Sequence, residues 1–269
     1  MAPLGSTQKY SMLIIDSHCH YGKGDGFTGP WDTNASLSGF ITRSRNAGIQ
    51  KTVIFATIHS DYRVANLQVS KIVNKYPDRF YGYAFVHPAR DAGRIERMIE
   101  TAVRDFHFCG IKVHRRDARI TREICDVARK FSLPVLYDVL GESSNVELFA
   151  SEYRDVQFII PHLGSFADDW HAQMTFIDQL VRHPNVYTDT SGVKRFDLLE
   201  TAYKRAGASK ILFGSDGPWM HPGLELQKIF ELQPSQDDLK LMLAGNFLRL
   251  TGRHKISKNH LATERSLSR

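Results

Sequence analysis

The chain has 269 residues, 42% hydrophobic and 24% charged, a balance that excludes collagen-like, disordered and disulfide-rich classes. Its formal charge is +6, but residues 252–269 carry Arg253, Lys255, Lys258, Arg265 and Arg269 against Glu264, a net +4 that leaves the body at +2. A nearly neutral body argues against nucleic acid as a partner, because phosphate-backbone binding needs a concentrated basic face.

Short β-branched or aromatic runs recur at residues 12–16, 52–56, 81–86, 110–113, 134–138, 157–160, 186–189 and 211–214, which predicts eight strands. Longer stretches with helical spacing lie between them, as at 94–106, 117–131 and 170–182, and several end at Gly or Pro. Alternating strands and helices favour a parallel sheet. Eight units in roughly 250 residues match an α/β (β/α)8 TIM barrel in a single domain, with a doubly wound open sheet as the structural alternative. No GxGxxG or GxxxxGK[ST] supports nucleotide binding, and the cluster YGKGDGFTGP reads as a flexible loop. The expected organisation is an N-terminal extension over 1–11, the barrel over 12–251 and a basic, unfolded tail over 252–269.

Cys19, Cys109 and Cys125 show no CxxC spacing, so a reducing compartment is expected. The first eleven residues lack the apolar core of a signal peptide, and no apolar run approaches the ~18 residues that span a bilayer. The expectation is a cytoplasmic protein with no membrane partner.

Polar residues that follow the apolar runs carry the functional argument. Asp16, His18 and His20 close the first run, Lys112 and His114 the fourth, Asp138 the fifth, His162 the sixth and Asp216 the eighth. In a parallel barrel the carboxyl ends of all strands share one rim, so these residues converge. Alternation along a strand puts His18 and His20 on one side, with Cys19 facing the helices. Paired imidazoles suit Zn²⁺ and related metals, and a catalytic metal keeps about three protein ligands and an open position. Asp216 lies on the last strand, next to the first in a closed barrel. Taken singly, the HxH pair can be hydrogen-bonding histidines, Asp216 a turn residue and His162 a core histidine. His59, His107, His171 and His183 belong to no such constellation and read as structural or surface residues.

In order, IIDSHCH, GIKVH, PVLYD, FIIPHLGS, VYTDTSG, ILFGSDGPW and NFLRLTG resemble the amidohydrolase superfamily, and within it the branch that includes aminocarboxymuconate-semialdehyde decarboxylase. The resemblance covers residues 12–251. It implies a (β/α)8 barrel, one divalent metal at the rim, usually zinc, and hydrolysis or non-oxidative decarboxylation of small carboxylated or cyclic substrates. By resemblance His18 and His20 match the first-strand metal ligands, Asp216 the ligand and proton shuttle of strand eight, and His162 the histidine beside the reacting water. The departure is at strand five, where the family usually has a histidine and this chain has Asp138. A carboxylate there can ligate the metal, and with Asp216 it cancels the charge of a dication. Proton transfer then leans on a general base, His162 or Asp216. Alternatively Asp138 holds a water or a neighbouring histidine.

Lys112 and His114 share one strand face. In binuclear relatives the matching lysine is carboxylated, but the expectation here is that Lys112, aided by Arg115, Lys194 or Arg195, attracts a substrate carboxylate. Trp31, Trp219 and His221 sit in rim loops that can wall the pocket. Three functions follow for a small-molecule, anionic substrate: a metal-dependent hydrolase of an amide, ester or lactone; a non-oxidative decarboxylase with the same metal site; or an inactive barrel that binds ligands. A homodimer is expected from the resemblance.

Overall fold

The computed structural model describes residues 12–31, 33–166 and 169–253. The expected extension over 1–11 and the tail from 254 onward lie outside the described residues, as does the side chain of Trp31. Strands are β1 (Ile15–Lys23), β2 (Asn34–Ala35), β3 (Lys51–Ala56), β4 (Phe80–Gly82), β5 (Ala84–Phe85), β6 (Ile111–His114), β7 (Val135–Asp138), β8 (Phe158–Ile160), β9 (Val186–Asp189) and β10 (Ile211–Leu212). Helices are α1 (Leu37–Asn46), α2 (Tyr62–Lys75), α3 (Ile95–Arg104), α4 (Arg122–Phe131), α5 (Val146–Glu152), α6 (Trp170–Arg182), α7 (Phe196–Ala206), α8 (Pro222–Glu231), α9 (Gln236–Lys240) and α10 (Asn246–Leu250).

The strands form two ladders, β2-β1-β3-β4 and β10-β9-β8-β7-β6-β5, in which every pair but β1 with β2 is parallel. Both seams between the ladders are bridged. At one, β4 and β5 are consecutive pieces of one run: Tyr83 donates its backbone N–H to Ile54 and Ala84 to Gly110. At the other, Ser17 donates to the Phe213 carbonyl (2.9 Å), His20 to that of Gly217 (2.6 Å), and Cys19 bridges Gly217 in parallel. The result is a (β/α)8 barrel, in which each crossover helix lays an apolar face on the sheet. On α3, Ile95, Ile99 and Ala102 are buried at helical spacing; on α4, Ile124, Cys125, Val127 and Ala128.

Three expectations change in detail. The first strand does not stop at Asp16 but continues to Lys23, with one extra residue between Asp16 and Cys19 that shifts its register against β3. A bulge of this kind bends a strand and re-aims its side chains, and here it falls at the HxH pair. Part of the YGKGDGFTGP segment is therefore strand, with Gly22 and Lys23 paired to Ala35 and Asn34. The helix expected from residue 117 begins at Arg122, because Asp117 is held by the Tyr62 hydroxyl (2.5 Å) and Thr121 takes an extended cap conformation. Among the described residues no helix is long and apolar enough to cross a membrane.

Candidate active site

The polar strand ends meet at one mouth, and most of them are withdrawn from water. His18, His20, Lys112, His114, Asp138, His162, Asp189 and Asp216 are all buried. Lys112 is among the largest fully buried side chains, its ammonium 4.9 Å from the centre of the Phe55 ring.

His18 and His20 are held as metal ligands are held. The Nδ1 of His18 donates to Asp189 Oδ2 at 2.8 Å, and that of His20 to the Ala56 carbonyl at 3.2 Å. With the proton on Nδ1, each ring keeps its lone pair on Nε2. Both Nε2 atoms stand 3.4 Å from Asp216 Oδ1. Burial pushes the His18 imidazole down to about 4 against the pull of Asp189, and lowers His20 as well. The rings are thus neutral, and three acceptors face one another with no donor between them. His18 Nε2 is buried without a hydrogen-bond partner.

Such an arrangement is repulsive unless a cation fills it. The ligand atoms of His18, His20 and Asp216 lie within 4.8 Å of one another, and a tetrahedral shell with ~2.1 Å bonds has edges of about 3.4 Å. Two imidazole nitrogens and a carboxylate oxygen fit a divalent metal.

Asp138 stands apart from this trio. Its Oδ1 accepts from the Leu140 N–H at 2.9 Å, and its Oδ2 lies 3.4 Å from His114 Nε2 and 3.7 Å from His162 Nε2. The two histidines differ in tautomer. His114 Nδ1 accepts from the Arg116 N–H at 3.1 Å, which leaves its proton on Nε2, facing Asp138. His162 donates Nδ1–H to the Ser191 carbonyl at 2.6 Å, which leaves its Nε2 free to accept a proton. Burial alone would raise the Asp138 carboxyl, but His114, His162 and Lys112 hold it below the usual carboxylate range. The Lys112 ammonium is in turn lowered by burial, against the opposing carboxylates of Asp138, Asp189 and Asp216.

Two residues that sequence reasoning passed over organise this mouth. Asp189 closes β9 and Ser191 follows it; the Ser191 hydroxyl donates to Asp189 Oδ1 at 2.5 Å and lies 3.0 Å from His162 Nδ1 and 3.3 Å from His18 Nδ1. The pair thus locks the tautomers of a first-strand histidine and of His162. The signal for Asp189 was present, a carboxylate at the end of an apolar run, as for Asp138 and Asp216. Aromatic rings flank the site: Phe55 lies 4.6 Å from His20, Trp219 lies 4.7 Å from His20, and Phe166 lies 5.1 Å from His162, centroid to centroid.

Other expected contributors are engaged elsewhere. Arg115 pairs with Glu142 at 2.7 Å and Arg195 with Asp197 at 2.6 Å, while Lys194 is exposed. His221 caps α8 by accepting from the Gly223 N–H. His59 and His183 are buried in local hydrogen bonds, to the Asp61 N–H and to Gln179.

Known proteins share this architecture. The probable 2-pyrone-4,6-dicarboxylic acid hydrolase of Acinetobacter baumannii, solved with citric acid bound, superposes with a TM-score of 0.72 at 16% identity, covering 90% of this chain and 100% of the other. The 5-carboxyvanillate decarboxylase of Sphingomonas paucimobilis gives 0.70 at 13% identity, over 90% and 99%. A dihydroxybenzoic acid decarboxylase from Polaromonas, with bound manganese and 2-nitroresorcinol, gives 0.68 at 17%, over 90% and 97%. At such identities the likeness speaks for the fold. No curated protein matches the sequence. The amidohydrolase family profile matches residues 15–253, nearly the whole described chain, and the protein therefore belongs to the amidohydrolase family.

Proposed function

We propose that the protein is a metal-dependent hydrolase that adds water to an amide, ester or lactone of a small, carboxylated substrate. The observation that carries this reading is the meeting of the His18 and His20 Nε2 lone pairs with Asp216 Oδ1, 3.4 Å from each. His18, His20 and Asp216 would hold the ion, for which we propose zinc. Asp138 would join them only by turning its Oδ2 away from His114 and His162. When bound, the metal polarises the scissile carbonyl and lowers the pKa of water.

The chain's own groups supply the rest. His162 Nε2 accepts the proton of the attacking water and returns it to the leaving group, its ring held by Ser191. Asp138 Oδ2, 3.7 Å from that nitrogen, stabilises the imidazolium formed between the two transfers. Asp216 is the second proton acceptor. Lys112 places one positive charge in a low-dielectric mouth, where it binds a substrate carboxylate or a developing oxyanion. His114 and Trp219 complete the substrate wall.

A second reading is non-oxidative decarboxylation. It is favoured by the Phe55, Trp219 and Phe166 rings around the site, which suit a planar unsaturated acid, and by the aromatic-acid decarboxylases among the structural neighbours. Turnover in ¹⁸O-water separates the two. Label in the product carboxylate is expected for hydrolysis; CO₂ release with no label in the organic product would replace it by decarboxylation. Absence of both turnover and bound divalent metal would leave a ligand-binding barrel.

A further inference from the structure

Asp16 is a fully buried carboxylate for which the proposed chemistry has no use. It lies two residues before His18, and its contacts cross the barrel seam. Asp16 Oδ1 accepts from the Ser215 N–H at 2.9 Å and from the His18 N–H at 3.2 Å, and Oδ2 accepts from the Ser215 hydroxyl at 2.6 Å. That hydroxyl in turn accepts from the Gly217 N–H at 3.1 Å. One side chain therefore ties the backbone of His18 to Ser215 and, through the Ser215 hydroxyl, to Gly217, the residues on either side of Asp216.

The need for a tie follows from the backbone. β10 ends at Leu212, and Asp216 takes a left-handed conformation (φ 54°) in the turn beyond it. β1 carries its register shift over the same stretch. Seam bonds flank the gap, at Ser17 to Phe213 and at His20 to Gly217, and the Asp16 carboxylate with Ser215 spans what lies between. Across the seam itself, β1 and the turn share only those bonds and the Cys19–Gly217 bridge, with no continuous ladder to fix how far His18 and His20 stand from Asp216. Metal ligation tolerates a few tenths of an ångström in that spacing.

We propose that Asp16 and Ser215 act as a positioning clamp that sets the separation between the two histidines and Asp216, and so sets metal affinity. The clamp rests on the metal reading above. The variants are Asp16→Asn, whose amide nitrogen cannot accept from Ser215, and Ser215→Ala, with His18→Ala as a ligand-loss control. The readout is Zn²⁺ affinity by competition with a chromophoric chelator, alongside the thermal midpoint of each metal-free protein.

The clamp predicts that Asp16→Asn and Ser215→Ala each weaken Zn²⁺ by about 10–100-fold. The double variant should lie within about twofold of the weaker single variant, because both remove one device. If one variant does not fold, the other decides. Unchanged affinity with a lowered midpoint, multiplying losses in the double variant, or failure of both variants to fold would assign the pair to barrel closure and overturn the proposal. If the wild-type protein binds no Zn²⁺, it is the metal reading that fails.

Discussion

At the scale of single residues, tautomers decide the chemistry. An imidazole offers either a donor or a lone pair at Nε2, and the partner of Nδ1 chooses which. Asp189, the Ala56 carbonyl and the Ser191 carbonyl make His18, His20 and His162 acceptors at Nε2, whereas the Arg116 N–H makes His114 a donor. Loss of the charged partner should therefore be felt at the metal. Asp189→Asn is expected to weaken metal binding by about 10–100-fold while the fold persists, measured by isothermal titration with Zn²⁺ and by circular dichroism. Affinity equal to wild type would mean that the Ser191 hydroxyl alone suffices to orient His18.

At the scale of elements, the barrel depends on close approach where the two ladders join. Tyr83 lies between β4 and β5, buried, with its ring against the backbone that enters β6. A Cβ added at Gly110 would stand 2.4 Å from a Tyr83 ring carbon. Glycine is required there by space rather than by φ. Gly110→Ala should lower stability by about 1–3 kcal/mol through overpacking, read from urea unfolding. A combined Gly110→Ala and Tyr83→Leu variant should recover part of that loss, and no recovery would locate the strain elsewhere. The polar ring of the mouth also belongs to this scale: β1 contributes His18 and His20, β6 Lys112 and His114, β7 Asp138 and β9 Asp189, while His162 and Asp216 lie just beyond β8 and β10, so no strand contributes a complete site.

At the scale of the whole molecule, burying this much polar chemistry ties stability to pH. Burial holds His114 down to about 4, from an ordinary value of 6.5. Below about pH 6.5 the unfolded chain takes up a proton there that the native protein refuses until about pH 4, so stability falls with pH across that window. Asp16, pushed up to about 7 mainly by burial, titrates in the opposite sense over part of the same range. The test therefore compares metal-free wild type with His114→Gln. The stability difference between them should shift in the variant's favour by on the order of 2 kcal/mol between pH 7 and pH 5. A difference independent of pH would mean that His114 is not held neutral. Exposed pairs such as Arg129 with Asp155 contribute little to such a comparison.

Periodicity and the polar residues ending each run were enough to read the βα alternation, the barrel, and the convergence of His18, His20, Lys112, His114, Asp138, His162 and Asp216 on one rim. These features are local, since a strand's apolar run and its terminal polar residue are neighbours in the chain. What the tertiary structure alone decided is which of them touch. It brought His18 and His20 to Asp216, turned Asp138 toward His114 and His162, and made Asp189 and Ser191 the hub between two histidines. Those outcomes depend on a bulge in β1, a left-handed turn at Asp216 and hydrogen bonds between residues as many as 199 apart. Contacts over such separations leave no periodic trace in the sequence, because they are set by how the strands register around the closed barrel.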